Sequence, residues 1–205
     1  MSDSLFIEIG SHQEHKAGES CFGDAIASEK LPEEQRIISV LSDGLGSGVK
    51  ANILSSMTTR MALKFVESDL DLVRSAEVMM QALPVCQIRK ISYATFSIID
   101  AMLEGKTRIY EMDNPQCFIV RDAQQYHPAH HEISSEHWKD RIINVYQFVA
   151  KEEDRIIIMS DGVTQAGLGN PKYPLGWQRD GVWKFIENQV RRHPHISARD
   201  LAEAI

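Results

Sequence analysis

Asp43 and Asp161 each stand in a Ser-Asp-Gly string that directly follows a run of β-forming residues. Ser42-Asp43-Gly44 comes after Ile37–Leu41, and Ser160-Asp161-Gly162 comes after Arg155–Met159. Such a run predicts a buried strand, so each carboxylate is expected where a strand ends and its side chain meets water. Two strand-end carboxylates invite a cation. The glycine after each allows a sharp turn and brings its own carbonyl within reach of the same ion, because no Cβ obstructs the approach. A third turn, Gly23-Asp24, is the candidate that completes the set, with Glu14 and Glu19 as alternatives to Asp24. These are hard oxygen donors only, which favours Mg²⁺ or Mn²⁺ over zinc. A carboxylate bridging two ions about 3.5 to 4 Å apart would let a shared water lose its proton near neutral pH and attack a phosphoester. The ions would also neutralise phosphoryl oxygens as charge shifts in the transition state. Any one Asp-Gly pair is most often a plain turn; the argument rests on the three together.

The remaining composition narrows the setting. At 205 residues the chain is expected to form one domain with a real core. Its 43% hydrophobic and 25% charged content is that of a water-soluble globular protein. A net charge of −7 argues against a nucleic-acid partner, which would need a basic face. No run of about 18 apolar residues is present to span a bilayer, and the start, Met1-Ser2-Asp3-Ser4, lacks a secretory pattern. Cys21, Cys86 and Cys117 have no C-x-x-C spacing and read as free thiols, so a cytoplasmic location is expected.

The elements that must position the aspartates follow from periodicity. Leu5–Gly10 alternates like a strand, Gly18–Asp24 is a loop or strand edge, and Ile37–Leu41 is a strand. Val49–Val66 reads as a helix capped by Ser47, with Val49, Ile53, Met57, Met61 and Phe65 as its apolar row and Leu54 and Ala62 widening that face. Asp69–Leu83 is a second helix, stopped by Pro84. Strands are expected at Ala94–Ile99, Thr107–Met112, Cys117–Arg121, Ile142–Val149 and Arg155–Met159, and helices at Asp180–Val190 and from Ser197. This order predicts an α+β fold: a four-layer α-β-β-α sandwich of two mainly antiparallel sheets flanked by helices.

Taken in order, five motifs resemble those of a family: Gly23-Asp24, Ser42-Asp43-Gly44-x-Gly46-x-Gly48 opening a helix, Tyr93-Ala94-Thr95-Phe96, Asp113-Asn114-Pro115 and Ser160-Asp161-Gly162-Val163-Thr164. They resemble the metal-dependent PPM-type serine/threonine phosphatases in their bacterial SpoIIE-like branch, from Gly18 to Gly176. The resemblance implies that Asp43 bridges two metal ions, Mn²⁺ or Mg²⁺, and that Gly44 adds its carbonyl. It further implies that Asp24 completes one site and Asp161 binds the other ion. The implied substrate is phosphoserine or phosphothreonine in a regulatory protein of the anti-sigma-factor-antagonist kind, with a neighbouring regulatory domain as a further expected partner. The helix pair starts at the Asp43 turn, so a shift of that pair is expected to move Asp43 and Gly44. The family's closing D-D-x-T strand has no counterpart up to Ile205, which suggests a truncated domain. The same departure supports the alternative, a catalytically silent module that binds a phosphorylated regulator. Leu45 and Ser20 stand where the eukaryotic branch has a His and an Arg, so protonation and phosphate clamping fall to water, metal or other residues.

Other signals have plainer readings. Gly44, Gly46 and Gly48 imitate a dinucleotide fingerprint, but the spacing is wrong and Asp43 would repel a pyrophosphate. His127, His130, His131 and His137 match no zinc motif and read as a surface loop. Met57, Met61, Met79 and Met80 read as helix-pair core, Trp177 as packing, and Asn114-Pro115 as a tight turn.

Overall fold

The computed structural model describes residues 4–15, 18, 21–44, 46–82, 95–134 and 141–205, with residues 72, 73 and 80 as backbone only. Glu19, Ser20, Leu45, Leu83, Cys86, Tyr93, Ala94 and His137 of the sequence reading lie outside them. The chain forms two compact units, the first built mainly from Glu14–Asn114 and Pro128–Ala150, the second from Leu5–Gln13, Pro115–His127 and Lys151–Ile205.

With strands and helices numbered in chain order, the first unit is a six-stranded antiparallel sheet. It contains β1 (Ala25–Leu31), β2 (Arg36–Ser42), β3 (Phe96–Met102), β4 (Lys106–Met112), β7 (His130–Ser134) and β8 (Ile142–Val149). The strand order is β1-β2-β3-β4-β8-β7. Strand β2 is buried along almost its whole length, in keeping with its apolar Ile37, Ile38, Val40 and Leu41. Helices α1 (Gly48–Glu67) and α2 (Leu72–Ala82) pack on one face. Ile38, Val40, Phe96, Ile98, Met112, Ile143 and Val145 meet Ala62, Leu63, Val66, Ala76 and Met79 there.

Helix α1 turns a different side to the sheet from the one its apolar row predicted. Val49, Ile53 and Met57 are 63%, 49% and 39% exposed, while Met61 and Phe65 are only partly buried. The buried row is Ala51, Ser55, Thr58, Thr59, Ala62, Leu63 and Val66. Both rows recur with helical period, so periodicity alone favours the bulkier one. Small side chains let the helix axis come closer to the sheet, and hydroxyls tolerate burial when they find carbonyl partners.

Two strands of this unit were not foreseen: β1, whose Ala-Ile-Ala-Ser-Glu-Lys-Leu sequence alternates only weakly, and β7 at the far edge. His130 and His131 are exposed on β7, so the surface reading holds and the loop reading does not.

The second unit has a three-stranded antiparallel sheet ordered β6-β5-β9, from β5 (Phe118–Arg121), β6 (Gln124–Gln125) and β9 (Arg155–Ile157). Its helices are α3 (Asp161–Thr164), α4 (Gln178–Arg192) and α5 (Ala198–Ala204). Phe118 and Val120 pack against Val182, Ile186, Val190 and Leu201, with Trp177 at the margin of this core. The Ser197 hydroxyl caps α5 by accepting from the Asp200 amide at 3.0 Å. Leu5–Gly10 is not a strand. A Cβ on Gly10 would lie 2.3 Å from the Ala198 carbonyl carbon, so this segment lies directly on α5. The expectation of two antiparallel sheets flanked by helices therefore holds. Among the described residues Cys21 and the buried Cys117 are in no disulfide, and no helix is long and apolar enough to cross a membrane.

A charged knot ties α1 to the first sheet. Arg36 donates from Nε to Asp100 Oδ1 at 2.7 Å and from Nη2 to Asp100 Oδ2 at 3.1 Å. The same Nη2 reaches the Val66 carbonyl at the end of α1 at 3.0 Å. Arg108 adds a second cation to Asp100 at 2.9 Å. The side-chain bond to Asp100 raises the Arg36 pKa above its ordinary value against the opposing pull of burial. The Arg36 and Asp100 side chains are 1% and 2% exposed, so removing one strands the other in the interior. Asp100→Ala is expected to lower unfolding stability by about 3 to 5 kcal/mol, read from urea denaturation.

Candidate metal centre

The pairing of β1 with β2 brings the Asp24 and Asp43 turns to the same end of one ladder. Ala25 pairs with Ser42 as the last pair of the ladder, so Asp24 and Asp43 are the next residues in register across it. Facing residues of an antiparallel pair hold their Cβ atoms about 5 Å apart. Like charges brought near one another repel, and a divalent cation between them reverses the sign.

Gly44 is where the two turns touch. A Cβ built on it would lie 2.7 Å from the Gly23 carbonyl oxygen and 2.1 Å from the Ala51 carbonyl oxygen of α1. Only a residue without a Cβ permits that approach. The turn then leads into α1 through Gly46 at φ 97° and Ser47, which takes the N-cap position with extended backbone. The Asp43 main chain is held by Thr95, just before β3. The Thr95 hydroxyl accepts from the Asp43 amide at 2.8 Å and donates to the Asp43 carbonyl at 3.2 Å. Ser42 Oγ donates to the Thr95 carbonyl at 2.8 Å, so β2 and β3 are stitched together at the turn.

This donor set suits a hard cation. Mg²⁺ and its analogues are commonly held by one or two carboxylates, with backbone oxygen and water completing the shell. Asp24, Asp43 and the Gly44 carbonyl are the candidates for that combination within the first unit. Asp161 stands in the second unit as the first residue of α3, four residues beyond the end of β9 rather than at a buried strand end. Its carboxylate is exposed, and Oδ2 accepts from Gln165 Nε2 at 2.8 Å. Among the described residues no three His, Cys, Asp or Glu side chains cluster closely enough to hold a metal by themselves. Asn114 lies in the expected turn after β4 and donates to Ser97 Oγ at 3.0 Å. Thr95 and Gln165 were not singled out by sequence. The Thr of the Tyr93-Ala94-Thr95-Phe96 string was the available signal for the first.

Residues 33–205 match the family described as Stage II sporulation protein E (SpoIIE). The chain belongs to the SpoIIE family. Its fold is that of the PP2C phosphatase domain of SpoIIE from Bacillus subtilis, solved with a fragment of its regulatory domain, at a TM-score of 0.70 and 19% identity over 98% of this chain. The RsbU and RsbW domains of a Mycobacterium tuberculosis protein match at a TM-score of 0.65 and 16% identity over 88% of this chain. RsbX in complex with magnesium matches at 0.56 and 22% identity, covering 74% of this chain and 72% of that one. The chain spans 57% and 49% of the length of the first two structures. Among curated proteins none matches the chain in sequence.

The clearance at the two glycines separates a tight contact from a roomy one. Gly44→Ala is expected to cost about 1 to 3 kcal/mol through overpacking against backbone atoms. Gly23→Ala, whose new methyl would meet the Ala51 Cβ at an ordinary 3.6 Å, is expected to stay within about 0.5 kcal/mol of the native chain. Urea midpoints at constant m-value compare the two.

Proposed function

We propose that this SpoIIE-family domain is a metal-dependent protein phosphatase of the PPM class, acting on phosphoserine or phosphothreonine in a regulatory protein. The observation that carries this reading is the placing of the Asp24 and Asp43 turns at the same end of the β1–β2 ladder, with Gly44 pressed against the Gly23 carbonyl and α1. In this reading Asp24, Asp43, the Gly44 carbonyl and Asp161 are the residues that would hold Mn²⁺ or Mg²⁺, with two ions expected. When bound, the ions supply an activated water and neutralise the phosphoryl oxygens. The chain's own residues hold the donors in place: Thr95 fixes the Asp43 main chain, and Gln165 orients the Asp161 carboxylate. The magnesium complex of RsbX supports the choice of cation. The pairing of RsbU with RsbW domains in one relative, and the match to a stressosome protein, support a regulatory phosphoprotein as substrate.

Hydrolysis of a phosphoserine peptide and of p-nitrophenyl phosphate tests the proposal. Activity is expected to require Mn²⁺ or Mg²⁺, to vanish on chelation, and to fall at least about 100-fold in Asp43→Asn, a loss of transition-state stabilisation of about 2.7 kcal/mol. Equal turnover by the variant would overturn it. Tight binding of the phosphopeptide and Mn²⁺ without turnover would support the silent binding module instead.

A further inference from the structure

The buried polar row of α1 does more than fill space. Asn52 Nδ2 donates to the Phe22 carbonyl at 3.0 Å, and Ser55 Oγ donates to the Gly23 carbonyl at 2.7 Å. Thr59 Oγ1 follows with a longer contact of 3.4 Å to the Ala25 carbonyl. Positions 52, 55 and 59 lie on one helical face, and their partners bracket Asp24 in the chain. Ser55 is fully buried and Thr59 is 2% exposed, so these hydroxyls gave up water to make the contacts. On the opposite side of the ligand pair, Thr95 grips the Asp43 main chain at both its amide and its carbonyl. Every one of these contacts is to backbone, which fixes where each aspartate begins without occupying its carboxylate oxygens.

We propose that Asn52 and Ser55 on α1, together with Thr95 before β3, are positioning residues that hold the Asp24 and Asp43 turns at the separation a single cation requires. The proposal rests on the reading of those two aspartates as ligands of one ion. Side chains that orient metal ligands are typically worth about 10- to 100-fold in metal affinity, because an ion must otherwise order its own ligands on binding.

Isothermal titration of the 205-residue chain with Mn²⁺ alone tests this without reference to turnover. Ser55→Ala, Asn52→Ala and Thr95→Val are each expected to weaken binding about tenfold or more. Thr95→Ser, which keeps the hydroxyl, is expected to bind within about twofold of the native chain. Thr58→Val is the structural control: Thr58 is as buried as Ser55 on the same helix, but its hydroxyl donates to Leu54 within α1. It is expected to lower the thermal midpoint and leave Mn²⁺ affinity unchanged. Far-UV circular dichroism checks that each variant is folded; Asn52→Ala, at a half-buried position, and Thr95→Ser keep the test decisive if Thr95→Val unfolds. Native affinity in folded Ser55→Ala and Asn52→Ala, with binding lost in Asp43→Asn, would overturn the positioning role while leaving the metal reading intact. Binding in Asp43→Asn equal to that of the native chain would overturn both.

Discussion

The register of β1 against β2 is the constraint from which the candidate centre follows. Each residue of β1 faces a fixed partner on β2, from Leu31 opposite Arg36 to Ala25 opposite Ser42. One further step sets Asp24 opposite Asp43. Side chains alternate between faces, so a slip of one residue would send one aspartate to the other side of the sheet and separate the pair. The hairpin end resists such a slip. Pro32 opens a single 3₁₀ turn, Gln35 takes a left-handed backbone at φ 50°, and Arg36 is locked to Asp100 on β3. Register is thus secured at one end of the ladder and used at the other.

Helix α1 connects those two ends. Its last turn accepts from Arg36 through the Val66 carbonyl, and its first turns reach the Gly23 and Gly44 backbones through Ser55 and Ala51. A helix that must lie this close to a sheet and two turns has no room for large side chains on that face. The small residues Ala51, Ser55 and Thr59 are the consequence, and Val49, Ile53 and Met57 are left facing outward. The same compactness serves the electrostatics. Two carboxylates carried at one end of a ladder repel each other, so the backbone beneath them must be held against that repulsion. The contacts from Thr95, Asn52 and Ser55 hold it.

The second unit repeats the scheme on a smaller scale, with α4 and α5 laid on a three-stranded sheet. Arg155 is bound at both Nη atoms by the carbonyls of Pro194 and Ile196, so the strand before Asp161 is tied to the turn between α4 and α5. Asp161 itself opens a helix of one turn, braced by Thr164 and Gln165. Its exposure contrasts with the half-buried setting of Asp43, a difference that the shared Ser-Asp-Gly string does not convey.

Much of the fold was legible because its signals are local. The apolar run of β2, the long helix after Ser47, the turn at Asn114 and the cap at Ser197 each depend on neighbours within a few residues. The motif order placed the chain in its family for the same reason. The buried face of α1 was not legible, because two rows share the helical period and only contact with the sheet chooses between them. Nor was β1, whose modest sequence is held as a strand by its partner. Thr95 lies 52 residues from Asp43 and Asp100 lies 64 from Arg36, so no local pattern could announce either pair. The sequence by itself determined the candidates for the chemistry: aspartates and glycines at turns, with hard oxygen donors. Tertiary structure alone decided that the Asp24 and Asp43 turns share one end of a ladder and which side chains grip their backbones, because distance in space is set by strand register and helix packing rather than by order along the chain.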